Sequence, residues 1–195
     1  MLVLQLPPPS AELKSQIQTR IDGIDLDPDR KRWLDEFHNG INSTLHIFDR
    51  AEFLDDKLCI EYQKFFPNRK ICLVIGIMKN SGSAPACQPP HIDRGRALAV
   101  NYYLELGGES VDTVFYDKTS VAGEVAQNLR YQDVQEINRH RLKLDTWYAY
   151  DVWRCHSVEN IEATRSFFSI AFLDKHGYNM EDLYKDYPEL VKDKL

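Results

Sequence analysis

The chain has 195 residues, 43% hydrophobic and 28% charged, the balance of a folded protein that buries a core, which excludes a disordered chain. A net charge of −6 excludes the broad basic face that general attraction to nucleic acid or a membrane surface requires. Cys59, Cys72, Cys87 and Cys155 show neither CxxC pairing nor the density of a disulfide scaffold, which points to a reducing, cytoplasmic setting.

The opening MLVLQLPPPS is too short for a signal-peptide core and lacks a basic start. No apolar run reaches the roughly 20 residues that span a bilayer, so no membrane partner is expected. Helices are predicted next. Ser10 is an N-cap candidate, and Leu13, Ile17 and Ile21 recur at four-residue spacing after it. A second helix is expected through RKRWLDEFHNGI, capped by Asp27 or Asp29, with Trp33, Leu34 and Phe37 on one side and Gly40 as its stop. A third, short one falls in RAEFLDDKLCIEYQKFF. These segments are read as covering a sheet.

From residue 71 the texture changes. ICLVIGIM, ALAVNYYLEL, DTVFYDK, the 142–152 run and RSFFSIAFL are short, rich in Val, Ile, Phe and Tyr, and separated by turn residues. They do not alternate regularly with helices, which disfavours a doubly wound parallel sheet and favours a twisted antiparallel sandwich or barrel. Residues 80–90 and 118–130 read as loops able to form a lid, and INRHRLKL as an exposed strand. NMEDLYKDYPELVKDKL reads as a polar C-terminal helix broken near Pro188.

Two strand segments have unequal faces. In 97–106, Ala97, Ala99, Asn101 and Tyr103 oppose Leu98, Val100, Tyr102, Leu104 and Leu106. In 165–172, Arg165, Phe167, Ser169 and Ala171 oppose Ser166, Phe168, Ile170 and Phe172. One bulky apolar face and one small or polar face suit the wall of a ligand cavity.

The chemistry concentrates around QPPHIDRGR. His91 and Asp93 are two residues apart, so in a strand both would face one side. Alone, HxD is a weak signal. Downstream lie His156 and, nine residues on, Arg165. Two histidines and a carboxylate are the ligand set of a facial triad, which leaves positions open on Fe(II). An arginine on the next strand grips a carboxylate through two parallel hydrogen bonds.

The set His91-Ile92-Asp93 … His156 … Arg165, with the YYL run after HxD, resembles the Fe(II)- and 2-oxoglutarate-dependent dioxygenases, especially their prolyl-hydroxylase-like branch, over roughly residues 70–175. The resemblance implies a mainly β fold with flanking helices, the double-stranded β-helix or cupin-like jelly roll. It implies that His91, Asp93 and His156 bind iron, that Arg165 holds the distal carboxylate of 2-oxoglutarate, and that Tyr103 assists it. O2 and 2-oxoglutarate would be co-substrates, and a peptide side chain or small metabolite the substrate. There are departures. Phe167 stands where many relatives carry Ser or Thr, and KNSGSAPACQ lacks the tyrosine often found before the first histidine. Asn101 and Ser169 are the candidates to support the co-substrate instead. The expected organisation is one domain, 1–195: a mostly helical N-terminal cover over 1–68, a jelly-roll core over 69–175 and a C-terminal helix over 176–195.

Rival readings exist for the same residues. A cupin-like metal protein would use Arg165 structurally. Cys87, His91, Cys155 and His156 would make a Cys2His2 zinc set, but Cys155 and His156 are neighbours and strand neighbours point to opposite faces. Arg94 and Arg96 either line the mouth of the site, attracting an anionic substrate, or are solvated loop arginines. Trp147, Tyr148, Tyr150 and Trp153 read as barrel packing, and His38, His46, His140 and His176 as surface or structural.

Overall fold

The computed structural model describes residues 1–25, 45–50, 56–80, 83–93, 96–119, 129–173 and 177–195. The expected helix at 27–41 lies outside them, as do Arg94 and most of the 118–130 segment. Two antiparallel sheets form a jelly roll from eight successive strands: β3 (Ile71–Asn80), β4 (Ala86–His91), β5 (Leu98–Leu106), β6 (Asp112–Thr119), β7 (Glu136–Arg141), β8 (Trp147–Asp151), β9 (Arg154–Ile161) and β10 (Thr164–Phe172). The larger sheet runs β8-β5-β10-β3 through its centre, and the smaller runs β4-β9-β6-β7.

Three further strands extend the larger sheet. β1 (Leu2–Leu4) pairs with β8 on one side and β11 (Val191–Lys194) on the other, while β2 (Leu45–Arg50) lies beyond β3. The stretch 1–68, expected to be mostly helical, thus also contributes two strands, β1 and β2. Leu2 and Leu4 are buried with Val3 between them less so, the period-two pattern of a strand. The tail is corrected. Asn179 caps a short helix α3 (Met180–Asp186), its side chain accepting from the backbone N–H groups of Glu181 and Asp182. Pro188 cannot continue the helix, and after a single turn at Pro188–Leu190 the chain leaves as β11.

The bulky strand face lies under helices. Helix α1 (Ala11–Asp25) starts where Ser10 Oγ accepts from Leu13 N at 3.2 Å. It buries Leu13 and Ile17 against Leu73, Ile75, Val100 and Phe168 of the larger sheet. Helix α2 (Asp56–Gln63) adds Tyr62, and α3 adds Leu183. The proline run is tied down at Pro7, whose carbonyl accepts from Trp147 Nε1 at 2.9 Å and from Tyr62 Oη at 3.3 Å. Among the described residues, no helix is long and apolar enough to cross a membrane.

The other face of the larger sheet, with Ala99, Tyr103, Tyr150 and Phe167, looks inward at the smaller sheet. Leu106 is corrected: the β5–β10 register shifts between Tyr103 and Glu105, so Leu106 pairs with Arg165 and packs on the inner side. Phe167 pairs directly with Gly76 of β3, and its ring fills the space a side chain there would need. A Cβ at position 76 would collide with the Phe167 ring at Cζ. Gly76→Ala is expected to cost about 1–3 kcal/mol by overpacking. In a Phe167→Ala background the same change should cost far less, and a urea-unfolding double-mutant cycle measures the difference.

Candidate metal and carboxylate site

His91 is the last residue of β4 and pairs directly with His156 of β9. Their ring centroids are 4.3 Å apart. Asp93 lies beyond the end of the strand, so its approach is set by a loop rather than by the strand face the sequence suggested. That loop is pinned: Asp93 N donates to Val152 O, and Val152 N to Ala97 O, both at 2.9 Å. Residues 86–91 form a strand where the sequence read a loop. Pro89 and Pro90 obscured it, and they are tolerated because β4 is an edge strand.

His91 Nε2 lies 3.4 Å and His156 Nε2 3.9 Å from Asp93 Oδ1. Among the described residues, these three form the one His/Cys/Asp/Glu group with metal-binding spacing, with ligand atoms all within 4.8 Å of each other. The Nδ1 atoms settle the tautomers. His91 Nδ1 lies 2.8 Å from Pro89 O and His156 Nδ1 3.0 Å from Arg154 O; a carbonyl only accepts, so each Nδ1 carries the hydrogen. Each neutral ring then turns an Nε2 lone pair toward Asp93. Three acceptors facing one point suit a cation, and two imidazoles with one carboxylate suit divalent iron. Gln88 Nε2 lies 3.0 Å from His91 Nε2 and donates to it.

Burial, reinforced by the neighbouring His91, lowers the His156 pKa to about 4 and so favours the neutral, ligating ring. Burial alone would raise the Asp93 carboxyl. Positive charge facing it, from the Arg96 guanidinium and from either imidazole when protonated, outweighs burial and holds Asp93 well below the usual carboxylate range.

The three residues share a small cavity of ≈ 50 Å³ with Asn101, Tyr103, Tyr150 and Arg165. Arg165 is 1% exposed. Its Nη1 donates to Leu106 O at 3.1 Å and its Nη2 to Thr113 Oγ1 at 3.2 Å, while its guanidinium lies 4.4 Å from the Tyr103 ring centre. Among the described residues, Arg165 Nε and Asn101 Oδ1 are buried without hydrogen-bond partners. Such orphaned polar atoms fit a site built to receive a polar ligand.

Ser169 sits four residues beyond Arg165 and accepts from Arg96 Nη1 at 2.8 Å. Arg96 Nη2 lies 3.6 Å from Asp93 Oδ2, so Arg96 reaches from the histidine–aspartate cluster to β10 and is not a solvated loop arginine. The sequence reading placed Tyr150 in the packing; the structure sets it in the cavity. The alternation of β8, with Trp147 and Ala149 outward and Tyr148 and Tyr150 inward, was the signal for it. The zinc alternative is not assembled. Cys155 packs with Ile92, Val114 and Tyr116, and Cys87 opens onto a groove with Tyr116 and Tyr131, away from the histidines.

No family model matches the chain, and no curated protein sequence matches it. Among solved structures, a Pseudomonas putida prolyl-4-hydroxylase is similar at 14% identity and TM-score 0.44, over 88% of this chain and 91% of that one. A prolyl 4-hydroxylase from Phytophthora capsici is similar at 15% identity and TM-score 0.38, over 83% and 61%. A Trichoplax adhaerens prolyl hydroxylase, in complex with a hypoxia inducible factor peptide fragment, is similar at 13% identity and TM-score 0.37, over 84% and 91%.

His156 makes folding depend on pH. Its folded pKa of about 4 lies below the ordinary value near 6.5, so the unfolded chain takes the proton first. Its contribution is complete above about pH 6.5 and is lost as pH falls toward 4. Urea midpoints measured with a chelator present should fall across that window, and His156→Asn should flatten the fall.

Proposed function

We propose that the chain is a non-haem Fe(II)- and 2-oxoglutarate-dependent oxygenase that hydroxylates a peptide side chain or a small metabolite. One observation carries this reading: a single cavity is lined by the His91–Asp93–His156 cluster and by Arg165, a buried cation without a carboxylate partner among the described residues. The balanced reaction is R–H + 2-oxoglutarate + O2 → R–OH + succinate + CO2. Bound iron supplies the positions at which a 2-oxo acid and oxygen meet.

The chain's own residues do the rest. His91 and His156 present Nε2, held in orientation by the carbonyls of Pro89 and Arg154. Asp93 contributes one negative charge, kept ionised by its surroundings. Arg165 anchors the far carboxylate, with Tyr103 under its guanidinium. Phe167 and Met78 exclude water from the cavity wall.

A second reading, a cupin-like metal protein in which Arg165 is structural, draws on the bonds from Arg165 to Leu106 and Thr113. Adding Fe(II) and 2-oxoglutarate without oxygen separates the two. The oxygenase reading expects a weak visible charge-transfer band from the chelate and, once oxygen is admitted, succinate release. A protein that binds iron and gives neither is the structural one. Under the oxygenase reading, His91→Ala or Asp93→Ala abolishes turnover. Arg165→Ala weakens 2-oxoglutarate binding roughly 30-fold or more, the loss of a charged hydrogen-bonded pair, while iron binding is largely retained. Calorimetry with each ligand reads that split; equal losses would indicate a folding defect.

A further inference from the structure

Tyr150 stands on the inner face of β8, with its hydroxyl 2.6 Å from Asn101 Nδ2 and 3.0 Å from the Tyr103 hydroxyl. Asn101 Nδ2 is 3.2 Å from the Tyr103 hydroxyl, so the three groups close a triangle. A count of hydrogens gives the same result whichever way the amide is turned. Two phenols and one primary amide carry four hydrogens, and only three contacts join them. With Nδ2 toward the phenols, three hydrogens serve the three contacts and one phenol O–H is left over. With the amide reversed, the two phenol hydrogens go to Oδ1 and both amide N–H groups are left over. Either way, at least one donor lacks an acceptor within the triangle.

A second spare donor lies beside the first. Arg165 Nε is buried without a partner, and the guanidinium stacks on the Tyr103 ring. Asn101, Tyr103, Tyr150 and Arg165 all line the cavity that holds the histidine–aspartate cluster. Phe167, two residues after Arg165, offers no donor and packs its ring on Gly76, so hydrogen-bonding groups on this wall come from β5 and β8. Surplus donors next to a buried cation fit an anion with several acceptor oxygens.

We propose that Tyr150, together with Asn101 and Tyr103, forms the donor wall that reads the far carboxylate of the 2-oxo acid beside Arg165, which makes Tyr150 a specificity-determining residue. The proposal rests on the oxygenase reading above. It predicts discrimination between acids that share the keto-carboxylate end and differ in the second carboxylate, a distinction a purely structural tyrosine would not affect.

The test uses the full chain loaded with Mn(II), with 2-oxoglutarate and pyruvate titrated calorimetrically. Tyr150→Phe should weaken 2-oxoglutarate about 10-fold or more, the scale of one hydrogen bond to a charged group, and leave pyruvate and Mn(II) within about 2-fold. Equal loss of both acids, or no loss of either, overturns the proposal. Should Tyr150→Phe fail to fold by near-UV circular dichroism, Asn101→Ala is held to the same split. A wild-type protein that takes Mn(II) and does not prefer 2-oxoglutarate over pyruvate overturns the oxygenase reading itself. A wild-type preference that survives both substitutions overturns only the role of this wall.

Discussion

A guanidinium sealed from solvent, with no carboxylate partner among the described residues, is the constraint on which the rest of this structure turns. Arg165 is 1% exposed and rests on a carbonyl, a hydroxyl and an aromatic face, all neutral. Taking such a charge out of water costs several kcal/mol, and neutral partners return only part of it. The nearest sequence acid on the facing strand does not help. Thr113 of β6 turns inward to Arg165, while its neighbour Asp112 turns outward and pairs with Arg139 and Arg141 at 3.3 and 3.0 Å. Strand alternation thus keeps the carboxylate on one face and the cation on the other. Under the proposed oxygenase reading, a ligand bearing a carboxylate would complete the balance that the described residues leave open.

The jelly roll explains how residues so far apart in sequence share one cavity. His91 and His156 are 65 positions apart and are cross-strand neighbours, because β4 and β9 lie side by side in the smaller sheet. His156 and Arg165 are close in sequence but belong to different sheets, since β9 ends at Ile161 and β10 starts at Thr164 in the facing one. The turn between them carries the chain across the sandwich, a gap of about 10 Å. Spacing of nine residues therefore sets a cation on the opposite sheet from the histidine–aspartate cluster, with both lining one cavity.

Much of this was legible in the strand faces. The uneven faces of residues 97–106 and 165–172 identified which side meets helices and which lines a cavity, because burial under α1, α2 and α3 needs bulk while a ligand wall needs space. Ser10, Leu13 and Ile17 likewise announced their helix. What failed to show had local causes. Prolines 89 and 90 hid β4, whose edge position makes them harmless. β1 and β11 are three and four residues long, too short for a periodic signal, and exist through tertiary pairing. The inward turn of Leu106 depends on a register shift, and the reach of Arg96 to Ser169 on a side-chain path, neither of which is written in residue types.

The apolar part of the cavity wall strengthens its polar part. Phe167 occupies the volume left by Gly76, and with Met78, Ile77 and Val158 it gives the donors a water-poor setting. Hydrogen bonds and charges act more strongly in such a setting than in water, and unmade ones cost more. Under the proposed oxygenase reading, a ligand that satisfies Arg165 and the Asn101–Tyr103–Tyr150 triangle together would gain from both effects, whereas one that meets only the histidine–aspartate cluster would leave buried donors unanswered. Discrimination of this kind rests on the penalty for the incomplete ligand as much as on attraction to the complete one. At residue 167 an aromatic ring dries the cavity wall, and the hydrogen-bonding groups come from β5 and β8.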